Sequence, residues 1–141
     1  MTKRGMMTTA FAIALVAGLW GLQHVSAQPA AGAAPAGFKR TELIRHDISM
    51  PNHEAITARA DFQPGGAVPR HTHPGEEVAY ILEGEIELQV EGKPAQKFKA
   101  GDTFFLPAGT VHAAKNVGKG TAAVLSTYLV EKGKPLATPA K

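Results

Sequence analysis

The sequence contains no cysteine among its 141 residues. Disulfide bonds, thiolate metal ligands and cysteine nucleophiles are therefore excluded. A folded domain in this chain has to be stabilised by packing and hydrogen bonds alone.

A large excess of charge of one sign is also missing. The chain carries 15 Lys and Arg against 12 Asp and Glu, a net charge of +3. Lys3 and Arg4 belong to an N-terminal segment that we predict to be removed, and without them 13 basic residues face 12 acidic ones. Nucleic acids select clustered basic charge, so we expect no nucleic-acid partner.

Long apolar runs are rare, and the clearest one covers residues 10–22 (AFAIALVAGLWGL). Thirteen residues are few for a membrane span, which needs about 20. Lys3 and Arg4 precede the run and the small residues 25–27 follow it, an order typical of a secretory signal peptide. We predict a signal peptide over residues 1–27, a periplasmic or secreted protein, and no stable membrane insertion after cleavage. An uncleaved anchor is the alternative.

Two segments have the composition of linkers. Residues 28–37 (QPAAGAAPAG) and 132–141 (KGKPLATPAK) are rich in small residues and proline and show no periodicity. Such composition favours flexible chain. We therefore predict a flexible linker over 28–37, one domain over 38–131, and a flexible, frayed C-terminal tail over 132–141.

Between these segments there is little room for a long helix, because Gly and Pro recur every several residues. Residues 85–91 (EIELQVE) alternate strictly between apolar and polar, which predicts a half-buried strand. Further strands are expected at 54–63 (where alanines also permit a helix), 78–82, 96–99, 103–106 and 123–130. Residues 78–82 and 85–91 are predicted to form a hairpin about Gly84. The whole pattern favours an all-β sandwich or small barrel.

The side chains that carry chemistry begin in residues 65–84. His71 and His73 are two residues apart, so in a strand both imidazoles point to one face. Pro74 and Gly75 follow and allow a turn, which lets the Glu77 carboxylate return to the same point.

A third imidazole comes from His112 in residues 101–116. Three neutral imidazoles and one carboxylate form a ligand set for a divalent transition metal. This set does not select among Fe, Mn, Ni, Cu and Zn, so we predict one such ion without naming it.

The two segments resemble the paired motifs of the cupin superfamily. The first motif, written G, five residues, H-x-H, three residues, E, six residues, G, is matched at Gly65, His71, His73, Glu77 and Gly84. The second, written G, five residues, P-x-G, two residues, H, three residues, N, is matched at Gly101, Pro107, Gly109, His112 and Asn116. The resemblance implies an all-β double-stranded β-helix, or jelly-roll barrel, with a metal ion inside it. Its ligands would be His71, His73, Glu77 and His112.

Strand parity then predicts what faces the metal. If Glu77 points inward, Ala79 and Ile81 do so too. Of the neighbours Phe104 and Phe105, one faces the interior, and parity alone does not say which. The cavity wall near the metal is thus expected to be small and apolar, with room for a ligand.

Other polar residues have simpler interpretations. Asn116 is expected to serve a turn or strand end, and His46 and His53 to be solvated. Arg59 and Arg70 are candidates for holding a substrate carboxylate, although a surface ion pair is the commoner role of such residues.

Three functions fit this site. An octahedral ion with four protein ligands keeps two positions for water, dioxygen or a chelating substrate. The first hypothesis is an exported metal-dependent dioxygenase acting on a small enolic, phenolic or diketone-like substrate, with Glu77 as general base. The alternatives are a non-redox isomerase or lyase, and a non-catalytic periplasmic module that binds or senses a small ligand. Likeness to other small cupins implies a homodimer.

Overall fold

A computed structural model describes residues 36–141. The predicted signal peptide and all but the last two residues of the predicted linker lie outside the described residues. The described part forms ten strands: β1 Phe38–Asp47, β2 His53–Phe62, β3 Ala67–Thr72, β4 Glu76–Glu83, β5 Glu85–Val90, β6 Gln96–Lys99, β7 Thr103–Leu106, β8 His112–Asn116, β9 Ala122–Glu131 and β10 Thr138–Pro139. Residues 36–141 contain no helix that would cross a bilayer.

The strands form two five-stranded sheets with antiparallel pairing throughout. The first sheet has the order β1-β2-β9-β4-β7, and the second has the order β10-β3-β8-β5-β6. Apolar residues from both sheets share one buried cluster, so the inner faces pack against each other. This is the predicted all-β jelly-roll barrel.

Alternation decides which faces are buried. In β2 every second residue is buried, including Ile56 and Phe62, and the strand pairs with β9 along its whole length. The helix that its alanines permitted is therefore not formed. In β4, Ala79 and Ile81 point inward as parity predicted. Phe105 is 58% exposed, which leaves its neighbour Phe104 to pack against the core.

The predicted hairpin between β4 and β5 is wrong. β4 pairs with β7 and β9 in the first sheet, whereas β5 pairs with β6 and β8 in the second. Gly84 joins them with a φ of 76°, a conformation that favours glycine. A Cβ atom there would lie 2.5 Å from the Thr121 carbonyl oxygen. The glycine therefore serves a corner between sheets rather than a hairpin turn.

The segment predicted to be a flexible tail, residues 132–141, includes a short strand in the structure. Thr138–Pro139 forms strand β10 and pairs with Thr72 and His71 of β3. The Ala140 N–H donates to the Arg70 carbonyl oxygen at 3.0 Å. The sequence does not predict this strand, because the segment is held by two backbone pairings and one apolar side chain, Leu136. None of these contacts produces a periodic pattern of residue types.

The interior divides into two regions. We call the first the apolar cluster; it consists of Ala60, Phe62, Ala79, Ile81, Ile86, Ala122 and Val124. We call the second the histidine cluster; it consists of His71, His73, Glu77 and His112, all buried. β4 contributes to both regions, so position along a strand decides which region a residue joins.

Candidate metal centre

The four predicted site residues meet between the two sheets. His71 lies in β3 directly opposite His112, the first residue of β8, and His73 follows just after β3 ends. Glu77 comes from β4 in the facing sheet. The turn at residues 74–75 therefore carries the chain from one sheet to the other, as the proline and glycine suggested.

The ligand atoms converge on one point. The candidate ligand atoms of the three histidines all lie within 4.8 Å of one another, and the Nε2 atoms of His71 and His73 are 3.2 Å apart. The Glu77 Oε2 atom lies 3.3 Å from His73 Nε2 and 3.6 Å from His112 Nε2. Two sequence segments thus present three nitrogens and one oxygen to a single site.

Hydrogen bonds to the main chain orient each imidazole. The Nδ1 atoms of His71 and His112 each bond to the carbonyl oxygen two residues earlier, at 2.8 and 2.9 Å. The His73 Nδ1 atom bonds to the Leu136 carbonyl oxygen at 2.6 Å. A carbonyl only accepts, so each Nδ1 carries the proton. Each Nε2 then keeps a lone pair directed into the cavity.

This arrangement fits a divalent cation. With Nδ1 protonated on both rings, the 3.2 Å contact between His71 and His73 brings two lone pairs together. A cation between them turns that unfavourable contact into a pair of ligand bonds. Nitrogen donors together with a carboxylate are the set that first-row transition metals accept.

The site favours the charge states that a metal requires. Burial lowers the pKa of His71 to about 4 and also lowers the pKa of His112, so both rings are neutral at pH 7. Burial alone would raise the pKa of Glu77. The neighbouring His73 and His112 imidazoles, together with the Ser126 hydroxyl, outweigh that effect and hold the pKa below its ordinary value. Glu77 is therefore an ionised carboxylate.

Sequence reasoning missed two buried residues beside the cluster, both on β9. The Ser126 hydroxyl donates to Glu77 Oε1 at 2.7 Å, and the Tyr128 ring lies 4.7 Å from the His73 ring. Burial raises the pKa of the Tyr128 hydroxyl, with a smaller contribution from the Glu77 charge. The sequence does contain a signal for them: Ser126 and Tyr128 occupy alternate positions of a predicted strand, so both face the same side of the sheet.

The cavity beside the histidines is small and has one charged residue at its edge. It holds about 40 Å³ of free volume, which is room for a few water-sized groups. An adjoining groove shares Phe38, Arg40, Val68 and His71 with the cavity, and it is also lined by Ala137 and Pro139. None of the ion pairs formed within residues 36–141 includes Arg40.

The arginines singled out from the sequence do not line the cavity. Arg59 pairs with Asp61 at 2.7 Å, and Arg70 pairs with Glu91. Both arginines thus form the ion pairs that are their commoner role, and Arg70 also lines the adjoining groove, so the carboxylate-holding role stays a prediction. The alternation of strand residues did not predict that Arg40 lines the cavity, because the sequence does not predict β1 as a strand.

Asn116 has the structural role that was expected. Its side-chain amide donates to the carbonyl oxygens of Gln63 and Gly120 at 3.1 and 2.8 Å. Its Oδ1 atom accepts from the Gly118 N–H at 2.9 Å. Asn116 therefore ties together two chain segments at the end of β8, and none of its side-chain hydrogen bonds goes to the histidine cluster.

Comparison with known proteins agrees with this geometry. The chain is 46% identical over 76 residues to germin-like protein subfamily 2 member 2 of Arabidopsis thaliana, covering 50% of this chain and 35% of that protein. It is 33% identical over 105 residues to oxalate oxidase 2 of Hordeum vulgare, covering 68% of this chain and 47% of that protein. The chain thus spans less than half the length of these curated relatives.

A solved structure shares the fold. Oxalate oxidase in complex with the substrate analogue glycolate superposes with a TM-score of 0.60 at 28% identity, covering 75% of this chain and 56% of that one. The cupin-domain family model matches residues 58–128, a range that includes all four residues of the histidine cluster. The chain therefore belongs to the cupin superfamily.

Proposed function

We propose that the chain is an exported, metal-dependent oxidoreductase that uses dioxygen on a small, oxygen-chelating substrate, in the manner of a dioxygenase or an oxidase. The observation that carries the proposal is the convergence of His71, His73, His112 and Glu77 beside a buried cavity. The oxidoreductase class is supported by the relative named oxalate oxidase. Because the chain spans only part of that relative, the residues of the site carry the argument for the metal.

Each residue of the centre has a task in this proposal. His71, His73, His112 and Glu77 would hold one divalent ion: ligand chemistry accepts Fe, Mn, Ni, Cu or Zn, and of these only Zn supplies no redox chemistry. The ion supplies Lewis acidity and redox chemistry at its open positions. The Ser126 hydroxyl fixes one Glu77 oxygen at 2.7 Å, so the other oxygen faces the histidines. That second oxygen would ligate the ion, and once released from the ion it is placed to accept a substrate proton as a general base.

Cavity size and charge restrict the substrate. A free volume of about 40 Å³ admits only a molecule of few heavy atoms. Arg40 adds a positive charge where the cavity meets the groove, and guanidinium groups bind carboxylates and other oxyanions well. We therefore propose a small anionic chelator: a short carboxylic acid fits this volume best, whereas an enolate or a phenolate would extend into the groove.

Export and dimerisation complete the proposal. Export rests on the signal-peptide pattern of residues 1–27. A homodimer is supported by large apolar side chains on the outer face of the first sheet, where Val78, Tyr80 and Phe105 are 48%, 45% and 58% exposed. Mass spectrometry of the mature N-terminus and light scattering of the purified protein test these two parts.

The deciding experiment measures metal content and oxygen uptake together. Protein purified from its exported fraction is analysed for transition metals, then offered oxalate, glycolate, catechol or acetylacetone in an oxygen electrode. Bound iron, manganese, copper or nickel with substrate-dependent oxygen uptake supports the proposal. Zinc with turnover but no oxygen uptake would favour an isomerase or lyase, and tight ligand retention without product would favour a binding module. A chain that holds no metal would rule out all three.

A further inference from the structure

The three imidazoles of the histidine cluster are oriented in two different ways. His71 and His112 bond to carbonyl oxygens two residues away in their own segments. His73 bonds to the Leu136 carbonyl oxygen, 63 residues further along the chain. Two imidazoles are thus oriented locally, and the third is oriented by the C-terminal segment.

Contacts on both sides of Leu136 hold its carbonyl in place. Before it, the Lys132 N–H donates to the Asn52 carbonyl oxygen at 3.0 Å. After it, Thr138–Pro139 pairs with β3. The Leu136 side chain itself packs against a small buried group that consists of Ile56, Ala58, Tyr128 and Val130.

We propose that residues 132–141 are a positioning element of the metal centre, in which the Leu136 carbonyl fixes the tautomer and ring orientation of His73. The inference rests on the metal centre proposed above. Without this acceptor the His73 ring is free to turn, or to carry its proton on Nε2, and either change removes a lone pair from the site. His71 and His112 keep their own acceptors, the Pro69 and Thr110 carbonyl oxygens.

The same segment also bounds the route to the site. Ala137 and Pro139 line the groove together with Phe38 and Arg40. Residues 133–135 between the anchors are exposed. Detaching the segment would therefore weaken one ligand and widen the groove at the same time, so metal affinity depends on an intact C-terminus.

The first test compares the full chain with a chain that ends at Lys134, and a chain that ends at Pro139 serves as the matched control. Co²⁺ affinity is measured by competition with a chromophoric chelator. Loss of a hydrogen-bond partner of a metal-bound histidine costs about 10- to 100-fold in affinity. We expect that loss for the chain ending at Lys134, a change of less than about threefold for the control, and recovery when a peptide of residues 132–141 is added. Equal affinity of a folded, shortened chain would overturn the proposal.

A second measurement needs no variant and no metal. Proton–nitrogen NMR of histidine-labelled full chain reports which ring nitrogen is protonated and how fast that proton exchanges with water. We expect a slowly exchanging Nδ1 proton on His73 as well as on His71 and His112, which serve as internal references. An Nε2 proton alone on His73, or an Nδ1 proton exchanging as fast as that of His46, would refute the positioning role. If the full chain bound no Co²⁺, the proposed metal centre would be refuted. The NMR measurement would still test whether the Leu136 carbonyl orients His73.

Discussion

The apolar cluster and the histidine cluster are built from the same strands but contain opposite chemistry. β4 contributes Glu77 to one and Ile81 to the other. β9 contributes Val124 to the apolar cluster and Ser126, two residues later, to the surroundings of Glu77. A displacement of two to four residues along a strand therefore separates a residue that stabilises the barrel from one that can bind a ligand.

This contrast implies that stability and metal binding are separable. The apolar cluster contributes burial of hydrophobic surface, the dominant favourable term in folding. The histidine cluster buries polar groups, which is tolerated only because each is hydrogen-bonded. Substitutions in one region should change the free energy of unfolding and leave metal stoichiometry intact, and substitutions in the other should do the reverse.

The largest expected effect is on metal affinity in His112→Ala. Removing a ligand should lower metal affinity by more than removing a ligand's hydrogen-bond partner does. We therefore expect metal affinity to fall by about 1,000-fold or more. The midpoint of urea unfolding in the presence of chelator should fall only modestly, because the variant loses one hydrogen bond, to the Thr110 carbonyl oxygen, worth about 1 kcal/mol. Metal titration and urea unfolding of the same sample measure both quantities.

His46→Ala is the matched control for that variant. His46 lies on exposed β1 and bonds only to the Asp47 carbonyl oxygen. Its removal should leave metal affinity and stability unchanged. Equal metal affinity in both variants would break the comparison, because it would locate the metal outside the histidine cluster.

The next largest effect is on stability in Ile81→Ala. Ile81 is fully buried in the apolar cluster, and truncation of such a residue costs about 3 kcal/mol through lost transfer energy and a new cavity. Leu43→Ala removes a side chain that is 55% exposed and should cost far less. Urea unfolding in chelator checks both variants, and each should still bind one metal ion per chain. Loss of metal from folded Ile81→Ala protein would show that the regions are coupled.

Asn116→Ala should have a smaller effect on stability. The change leaves the carbonyl groups of Gln63 and Gly120 and the Gly118 N–H without their partner. We expect a loss of about 2 kcal/mol, the usual cost of buried groups left unsatisfied. Gln89→Ala, which removes an exposed amide bonded to Glu87, is the control. If metal affinity fell instead of stability, Asn116 would belong functionally to the histidine cluster.

Much of the fold was predictable because burial leaves a period of two in the sequence. The strands that face the core on one side, such as β2 and β5, alternate and were found. β1 was missed because it is an edge strand, exposed along most of its length, with a register shift between Glu42 and Ile44. The turn signal at Gly84 predicts a hairpin, whereas the structure has a corner between the two sheets there. A local turn signal does not say which strands pair across the barrel.

The same distinction applies to the site. His71, His73, Glu77 and His112 were predictable because ligand chemistry shows in residue type and spacing. The contact between Ser126 and Glu77 spans 49 residues and depends on the register of two strands. The Leu136 carbonyl has no signature at all, because every residue carries one. Sequence therefore predicts the ligands better than the groups that orient them.

Ser126→Ala tests the smallest of these effects and the boundary between the two regions. The Ser126 hydroxyl holds one Glu77 oxygen at 2.7 Å. Alanine is nearly as small as serine, so the change removes this hydrogen bond and leaves an apolar side chain of the kind found in the apolar cluster. We expect a loss of metal affinity of about tenfold, the lower end for an outer partner of a ligand. Thr127→Ala removes a hydroxyl from the adjacent residue, which bonds to Thr57 instead, and should leave metal affinity unchanged. If both variants bound metal as the unaltered chain does, Glu77 would be oriented by the histidines alone, and the chemistry of the site would not extend onto β9.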